Sequence, residues 1–569
     1  MDKNVYEFIS KKSNDPIIEW RTCRVSGKQF AIYESDSKFY KKIPLYQKFS
    51  VPLPTLCPEE RMRRRLAWRN ERTLYERKCD WSGGKIVSMY NPTSPYKVYD
   101  QKIWWSDVWD ARDYGVDVDF NTSLVSQFDM LMKSVPHSAL NGANNQENSV
   151  YTNYSVANKN TYLSFGPTEN DTCMYGKFIN SCTQSYDCLS TYNCQWCYEG
   201  VDSHGCYQCQ YFIDCSSCQN CLMIENCSNC KDCIGCVLVG KEYYYLNKQV
   251  SKEEFDTIKK SFYPINNASL CRLEKLFSPE KAQAIYPSAN IQTCDNVSGD
   301  MLVNCHNCQF CFDLVDQEDC KYCRYGKKRG SYDCVFTDPS GMFDSYEVCS
   351  SLSSHCCSVF FCLDCSHVYW SVECHNSHHL LCVGLRDKEY CIFNKQYSKD
   401  EYEKLAVKVL EKMTEDLREY MPASISPYAY NETVAQEYFP LTQQETLSRG
   451  WRWLDKKPSV NLPENAKVIQ NELPDDISVG EDILKIISCR RSQRPFRIMK
   501  AELDFYRKSN ISLPQLHPDE RHRDRLSRKP SKSLHLRKCD KTHEEILSIY
   551  PNNSPFKVFG QSAYIQKIH

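Results

Sequence analysis

From Cys173 to Cys236 a small apolar residue returns on a three-residue step: all 14 cysteines of this stretch occupy one phase of a triplet. Polar and aromatic residues fill most of the positions between them. Aligned in twelves, 179–238 reads INSCTQSYDCLS, TYNCQWCYEGVD, SHGCYQCQYFID, CSSCQNCLMIEN and CSNCKDCIGCVL. Cysteine holds the fourth place of all five blocks and the seventh of the last four. Common helical repeats need more than about thirty residues to make paired helices. A period of twelve instead suits one short coil of stacked strands, bonded coil to coil at ~4.8 Å. One inward side chain per triplet predicts four inward columns per coil.

The pattern changes where the array stops. KEYYYLNKQVSKEEF at 241–255 and KEYCIFNKQYSKDEY at 388–402 each follow cysteine-rich sequence. In both, a serine (Ser251, Ser398) precedes acidic first-turn residues, which predicts a helix N-cap. A helix there covers the open edge of the last coil. The second array is less regular, with successive starts at Cys305, Cys320, Cys334, Cys349, Cys362 and Cys374 lying 12 to 15 residues apart. CHNSHH at 374–379, near His367, adds imidazole to the thiols and raises a mixed Cys/His metal site beside the alternative of solvent-facing histidines.

The coil geometry resembles the twelve-residue β-solenoids of beetle antifreeze proteins over five coils, although their repeated threonine face has no counterpart. The expected fold is mainly β: two short-coil cysteine-rich β-solenoid lobes, each closed by a helix, flanked by duplicated small α+β zinc-ribbon-like domains. The expected divisions are 1–120, a flank and aromatic cap; 121–262, the first lobe; 263–415, the second lobe; 416–485, a connector; and 486–569, the second flank. The aromatic run at 102–120 is expected to cap the open end of the first lobe or pack as core.

Composition narrows the functional classes. The chain has 569 residues, with 71 basic against 72 acidic side chains. That balance favours neither nucleic acid nor membrane through a global field. No run of ~18 apolar residues predicts a membrane span. The first twenty residues carry charge where a secretory signal needs an apolar segment, which predicts a cytoplasmic protein. In a reducing compartment 35 cysteines point to metal or packing before disulfides.

Stacked coils place Cys194, Cys206, Cys218 and Cys230 in one column, with Cys197, Cys209, Cys221 and Cys233 in the next. Two pairs from successive coils supply four thiolates, the donor set of tetrahedral zinc or of an Fe–S cluster. Cys305, Cys308, Cys320, Cys323, Cys362, Cys365 and Cys374 are the corresponding candidates in the second array. Two other readings stay open. The thiols pack as an empty reduced ladder, or pairs six apart, such as Cys182/Cys188 and Cys215/Cys221, form disulfides.

The ends repeat each other. LPTLCPEERMRRRL, RKCD and NPTSPYKVYD in the first hundred residues match LPQLHPDERHRDRL, RKCD and PNNSPFKVFG near the C-terminus, mostly offset by 460. Together with ENSVYTNYSVANKNTY before the array, these motifs resemble a family of cysteine-rich proteins with zinc-ribbon-like ends from candidate-phyla bacteria. The resemblance spans most of the chain and implies no activity. It also exposes departures: Cys23 pairs with Ser26, Cys57 with Glu60, and Cys489 with Ser492 facing His517. Closed structural sites need four good ligands, so the flanks are expected to fold without zinc.

Arg61, Arg65, Arg69 and Arg72 form one stripe if their segment is helical. Such a stripe tracks phosphates in RNA or the ribosome, or is a solvated face balanced by nearby glutamates. The sequence contains no phosphate-binding loop, dinucleotide fingerprint or Ser-His-Asp signature. The ranking that follows is a non-enzymatic, zinc-binding repeat scaffold first, a nucleic-acid binder second, and a thiol or Fe–S redox protein third.

Overall fold

The three-residue rule governs the backbone as well as the side chains. In the first array the residue before most inward positions adopts a left-handed conformation, as at Asn193 (φ 54°), Trp196 (55°), Gln208 (53°) and Asn220 (52°). Non-glycine residues enter that region at a cost that asparagine and aspartate bear best. Asp187, Asn193, Asp214, Asn226 and Asn229 accordingly hold such places. The computed structural model describes residues 1–569 except 43, 46–48, 143–144, 327–328, 337–341, 350–352, 414–415, 417–418, 456–467, 470–485, 531 and 569.

Twelve residues bring the chain back beside itself. The pairs Leu189↔Val201, Gln210↔Leu222 and Leu222↔Ile234 are parallel and twelve apart. They belong to a ten-stranded sheet whose strands lie in sequence order, from Thr152–Asn153 to Lys248–Gln249. Parallel bridges twelve or thirteen apart begin earlier still, at Gly142↔Ser155 and Glu147↔Lys159. The array therefore starts some thirty residues before its first cysteine. There the inward phase carries Ser149, Thr152, Ser155, Asn158, Thr161, Ser164 and Asn170, all buried.

The second array pairs in the same way with a looser period. Partners are twelve apart at Gly299↔Cys311, eleven at Val368↔His379 and fourteen at Tyr332↔Tyr346. Both arrays end in an antiparallel strand pair, then a helix: Lys252–Phe262 after the first, Lys399–Lys412 after the second. Ser251 and Ser398 are the N-caps, each in a reciprocal capping box with Glu254 or Glu401, as the sequence predicts.

The flanks repeat element for element. Each has a strand hairpin (Ile17–Thr22 with Gln29–Tyr33; Ile486–Ser488 with Pro495–Arg497), then two helices. The helices are Glu34–Lys42 and Pro58–Leu66 in one copy, Lys500–Ser509 and Pro518–Arg528 in the other. A second hairpin closes each copy. Strand is the commonest element, at 30% against 27% helix, so the protein is mainly β. Among the described residues no helix is long and apolar enough to cross a membrane.

The aromatic run packs as core, with Trp104, Trp109 and Ala111 buried. It caps the second array rather than the first: Trp104 and Trp109 pack beside Arg386, and Val116 donates its backbone N–H to the Phe393 carbonyl at 3.1 Å. The proposed connector is only partly a connector. Residues 420–451 join the main core, with Tyr420, Met421, Tyr428, Tyr430 and Val434 buried; most of the remainder lies outside the described residues.

Candidate functional site

Two arrangements carry most of the unusual chemistry: the thiol columns inside each array and the charged faces where the flanks dock. In the first array the cysteines from Cys173 to Cys236 form one buried cluster, with Ile179, Phe212 and Ile224 as its other buried members. Phe212 takes the space of two levels, so the inward residue one coil earlier is Gly200, where a Cβ would lie 2.4 Å from the ring.

Most of the thiols share one set of partners. Cys197 Sγ lies 3.4 Å from the carbonyls of Gln195 and Cys206, and Cys209 Sγ lies 3.5 and 3.3 Å from those of Tyr207 and Cys218. The same pair, two residues back and nine ahead, serves Cys182, Cys218, Cys311 and Cys365. Ser185 occupies an inward position and donates to the Thr183 and Cys194 carbonyls at 3.1 and 3.2 Å. An inward site thus asks for a small donor, and cysteine and serine both answer. Burial pushes the Cys173 thiol up to about 12 and raises Cys188 and Cys382 as well.

Sulfurs also meet one another. Thiols of Cys182, Cys197 and Cys206 hydrogen-bond Cys194 and lower its pKa. Cys206 in turn touches Cys209 and Cys218, and Cys230 touches Cys218, Cys227 and Cys233. In the second array Cys308 meets Cys305, Cys311 and Cys320, Cys311 meets Cys323, and Cys362 meets Cys365 and Cys374. The columns expected from the sequence are therefore assembled. Every cysteine is a free thiol. Among the described residues no group of three or more His, Cys, Asp or Glu side chains is arranged to hold a metal ion.

The histidines of the second array do not join the thiols. His355, His367 and His378 stack ring on ring at 5.2 Å, with interplanar angles of 9° and 2°. His375 packs against Trp105 and His379 bonds the Lys388 carbonyl. In the flanks, Ser26 Oγ lies 3.6 Å from Cys57 Sγ, and Cys23 is lowered to about 4, chiefly by the Cys57 thiol. Cys79 accepts backbone N–H groups of Ser82 and Asp100 at 3.5 and 3.2 Å; Cys539 accepts those of Thr542 and Gly560, both at 3.4 Å.

The arginine stripe is neither a phosphate track nor a solvated face. Arg61, Arg65 and Arg69 are at most 3% exposed, and a buried guanidinium needs a carboxylate. Arg61 and Arg65 bind Asp333 at 3.0 and 3.1 Å, and Arg65 also binds Glu347. Arg69 binds Glu71 at 2.5 Å, and Arg72 reaches Asp519 of the other flank at 3.1 Å. Their counterparts behave alike. Arg521 binds Asp187; Arg525 binds Asp187 and Glu199, both at 2.7 Å. Lys529 binds Asp202 at 2.6 Å and Lys532 binds Asp313 at 2.8 Å. Burial pushes the Asp187 and Asp333 carboxyls up, and the facing arginines pull them back.

The two docking faces are copies. Phe39 stacks on Tyr332 at 3.7 Å, as Phe505 does on Tyr186 at 4.2 Å. Tyr40 meets Tyr346 edge-on at 5.1 Å, as Tyr506 meets Tyr198 at 5.6 Å. Arg61 lies over Tyr322 and Arg521 over Tyr175. The receiving residues read SYDC at both 185–188 and 331–334, with Tyr-Glu one coil later at 198–199 and 346–347. That duplicated signal is visible in the sequence, but the cysteine count does not draw attention to it. The first flank docks this face on the second array, and the last flank docks it on the first array.

No family model matches the chain, and no curated protein matches it. Among solved structures, a candidate acetyltransferase from Desulfovibrio desulfuricans aligns at 10% identity over 48% of this chain and 79% of its own, with a TM-score of 0.10. A superposition that poor transfers neither fold nor activity.

Proposed function

We propose that the protein is a non-enzymatic scaffold: two short-coil β-solenoids with reduced thiols as their interior, locked by duplicated zinc-ribbon-like flanks. The observation that carries this reading is the repeated thiol environment. Most inward sulfurs are buried and bonded to carbonyls of their own and the next coil, and Ser185 takes such a place with the same two partners. Catalytic thiols need access and a lowered pKa at a helix start; these columns are sealed. A chain purified anaerobically is expected to titrate as 35 free thiols after denaturation and to carry no stoichiometric metal. Missing thiols would return the case to disulfides.

The sulfur quartets favour a second reading. Cys194, Cys197, Cys206 and Cys209 are linked sulfur to sulfur, as are Cys218, Cys221, Cys230 and Cys233. Their donor type suits zinc, which requires the thiols to leave their carbonyls and lose protons. Several zinc per chain in the same preparation would establish this reading over the first. A brown protein with broad visible absorbance would assign the sulfurs to Fe–S clusters instead.

A further inference from the structure

A cavity of about 750 Å3 lies between the two arrays and is edged by the C-terminal helix Gln561–Ile568. Its volume falls within the roughly 300–1,000 Å3 typical of small-molecule sites. One wall is a column of the first array, at positions 190, 202, 214, 226 and 238, twelve apart. The facing wall is a column of the second array, at 301, 313 and 325. Tyr192, Met301, Val303, Val315 and Tyr564 make much of the lining apolar or aromatic.

Three of the polar groups on these walls, Asp202, Asp214 and Asp313, are carboxylates. Asp202 and Asp313 each hold one lysine, Lys529 and Lys532. Asp214 has no ion pair among the described residues; its Oδ2 accepts only the Asn290 side-chain amide, at 3.0 Å. Asp313 Oδ2 and Gln561 Oε1 are buried oxygens without a hydrogen-bond partner. Burial, then the nearby Asp202, Asp300 and Glu225 carboxylates, push the Asp214 carboxyl up to about 7 against the opposing pull of Lys532. Orphaned buried acceptors cost free energy until a donor reaches them.

We propose that this inter-array cavity binds a small organic cation, an ammonium or guanidinium group carried on an apolar body. The cationic head would meet Asp214, Asp313 Oδ2 and Gln561 Oε1, supplying the missing charge and donors. Tyr192 and Tyr564 present rings to the body, and aromatic faces attract such cations.

The test is titration calorimetry on the full chain with tryptamine, agmatine and the neutral analogue tryptophol. Saturable 1:1 binding of at least one cation is expected, with tryptophol about tenfold weaker or worse. Asp214→Asn should lose about tenfold in affinity while keeping its circular dichroism spectrum. Gln561→Leu, at the start of the helix that edges the cavity, gives a second measurement if Asp214→Asn fails to fold, and should weaken binding severalfold. The proposal is overturned if neither cation saturates below about 10 mM, if tryptophol binds as well, or if the folded variants bind as tightly as the parent.

Discussion

Arg65 and Arg525 show what one residue does here. Each is fully buried, and each is held by two carboxylates from successive coils. Removing one partner of a buried pair leaves an uncompensated charge, so Arg65→Ala and Arg525→Ala should each cost about 3–5 kcal/mol in urea unfolding. Replacing exposed Arg112 should cost less than about 1 kcal/mol. Asp214 behaves differently because its charge is not neutralised. Burial and the neighbouring carboxylates push its folded carboxyl up to about 7, against about 3.9 unfolded. The native chain then binds the extra proton between those values, so stability falls as pH rises from about 4 to 7. Asp214→Asn should therefore be the more stable protein at pH 8, by about 1–3 kcal/mol, and equal to the parent near pH 4. Thermal melts at the two pH values check this.

A coil tolerates chemistry more readily than volume. Cys209 faces inward and bonds the Tyr207 and Cys218 carbonyls, the arrangement that Ser185 makes with oxygen. Cys209→Ser should cost about 1 kcal/mol, the scale of an altered hydrogen bond. Cys209→Leu and Gly200→Ala overfill the interior and should cost about 1–3 kcal/mol or more, Gly200 because the Phe212 ring already occupies its Cβ position. At the closing helices the issue is the cap. Ser251→Ala and Ser398→Ala remove one half of each capping box and should cost about 1 kcal/mol apiece. Chemical denaturation of the five variants ranks them.

At the scale of the molecule the chain is closed on itself by exchange: each flank docks its arginine face on the array farther from it in sequence. The last flank should then stay bound to the rest of the chain without a covalent link. With a protease site placed between 456 and 485, the cleaved fragments should co-elute in native buffer. Arg521→Ala with Arg525→Ala should let them separate, because Asp187 and Glu199 lose their partners. Much of this protein is set locally and is legible in the sequence. A strict triplet phase forces one side chain inward at each step, so the twelve-residue register, the sulfur columns and the Ser251 and Ser398 caps follow from residue order alone. The coils before the first cysteine carry no visible repeat, because Ser149, Thr152 and Asn158 keep the phase without the cysteine that advertises it. The arginine stripe was misread for a deeper reason. Spacing shows that Arg61, Arg65 and Arg69 share a helix face, but whether that face meets water or carboxylate depends on Asp333 and Glu347, some 270 residues away. Only the tertiary structure decides which surfaces meet, since burial is a property of the pair, and periodicity describes one partner at a time.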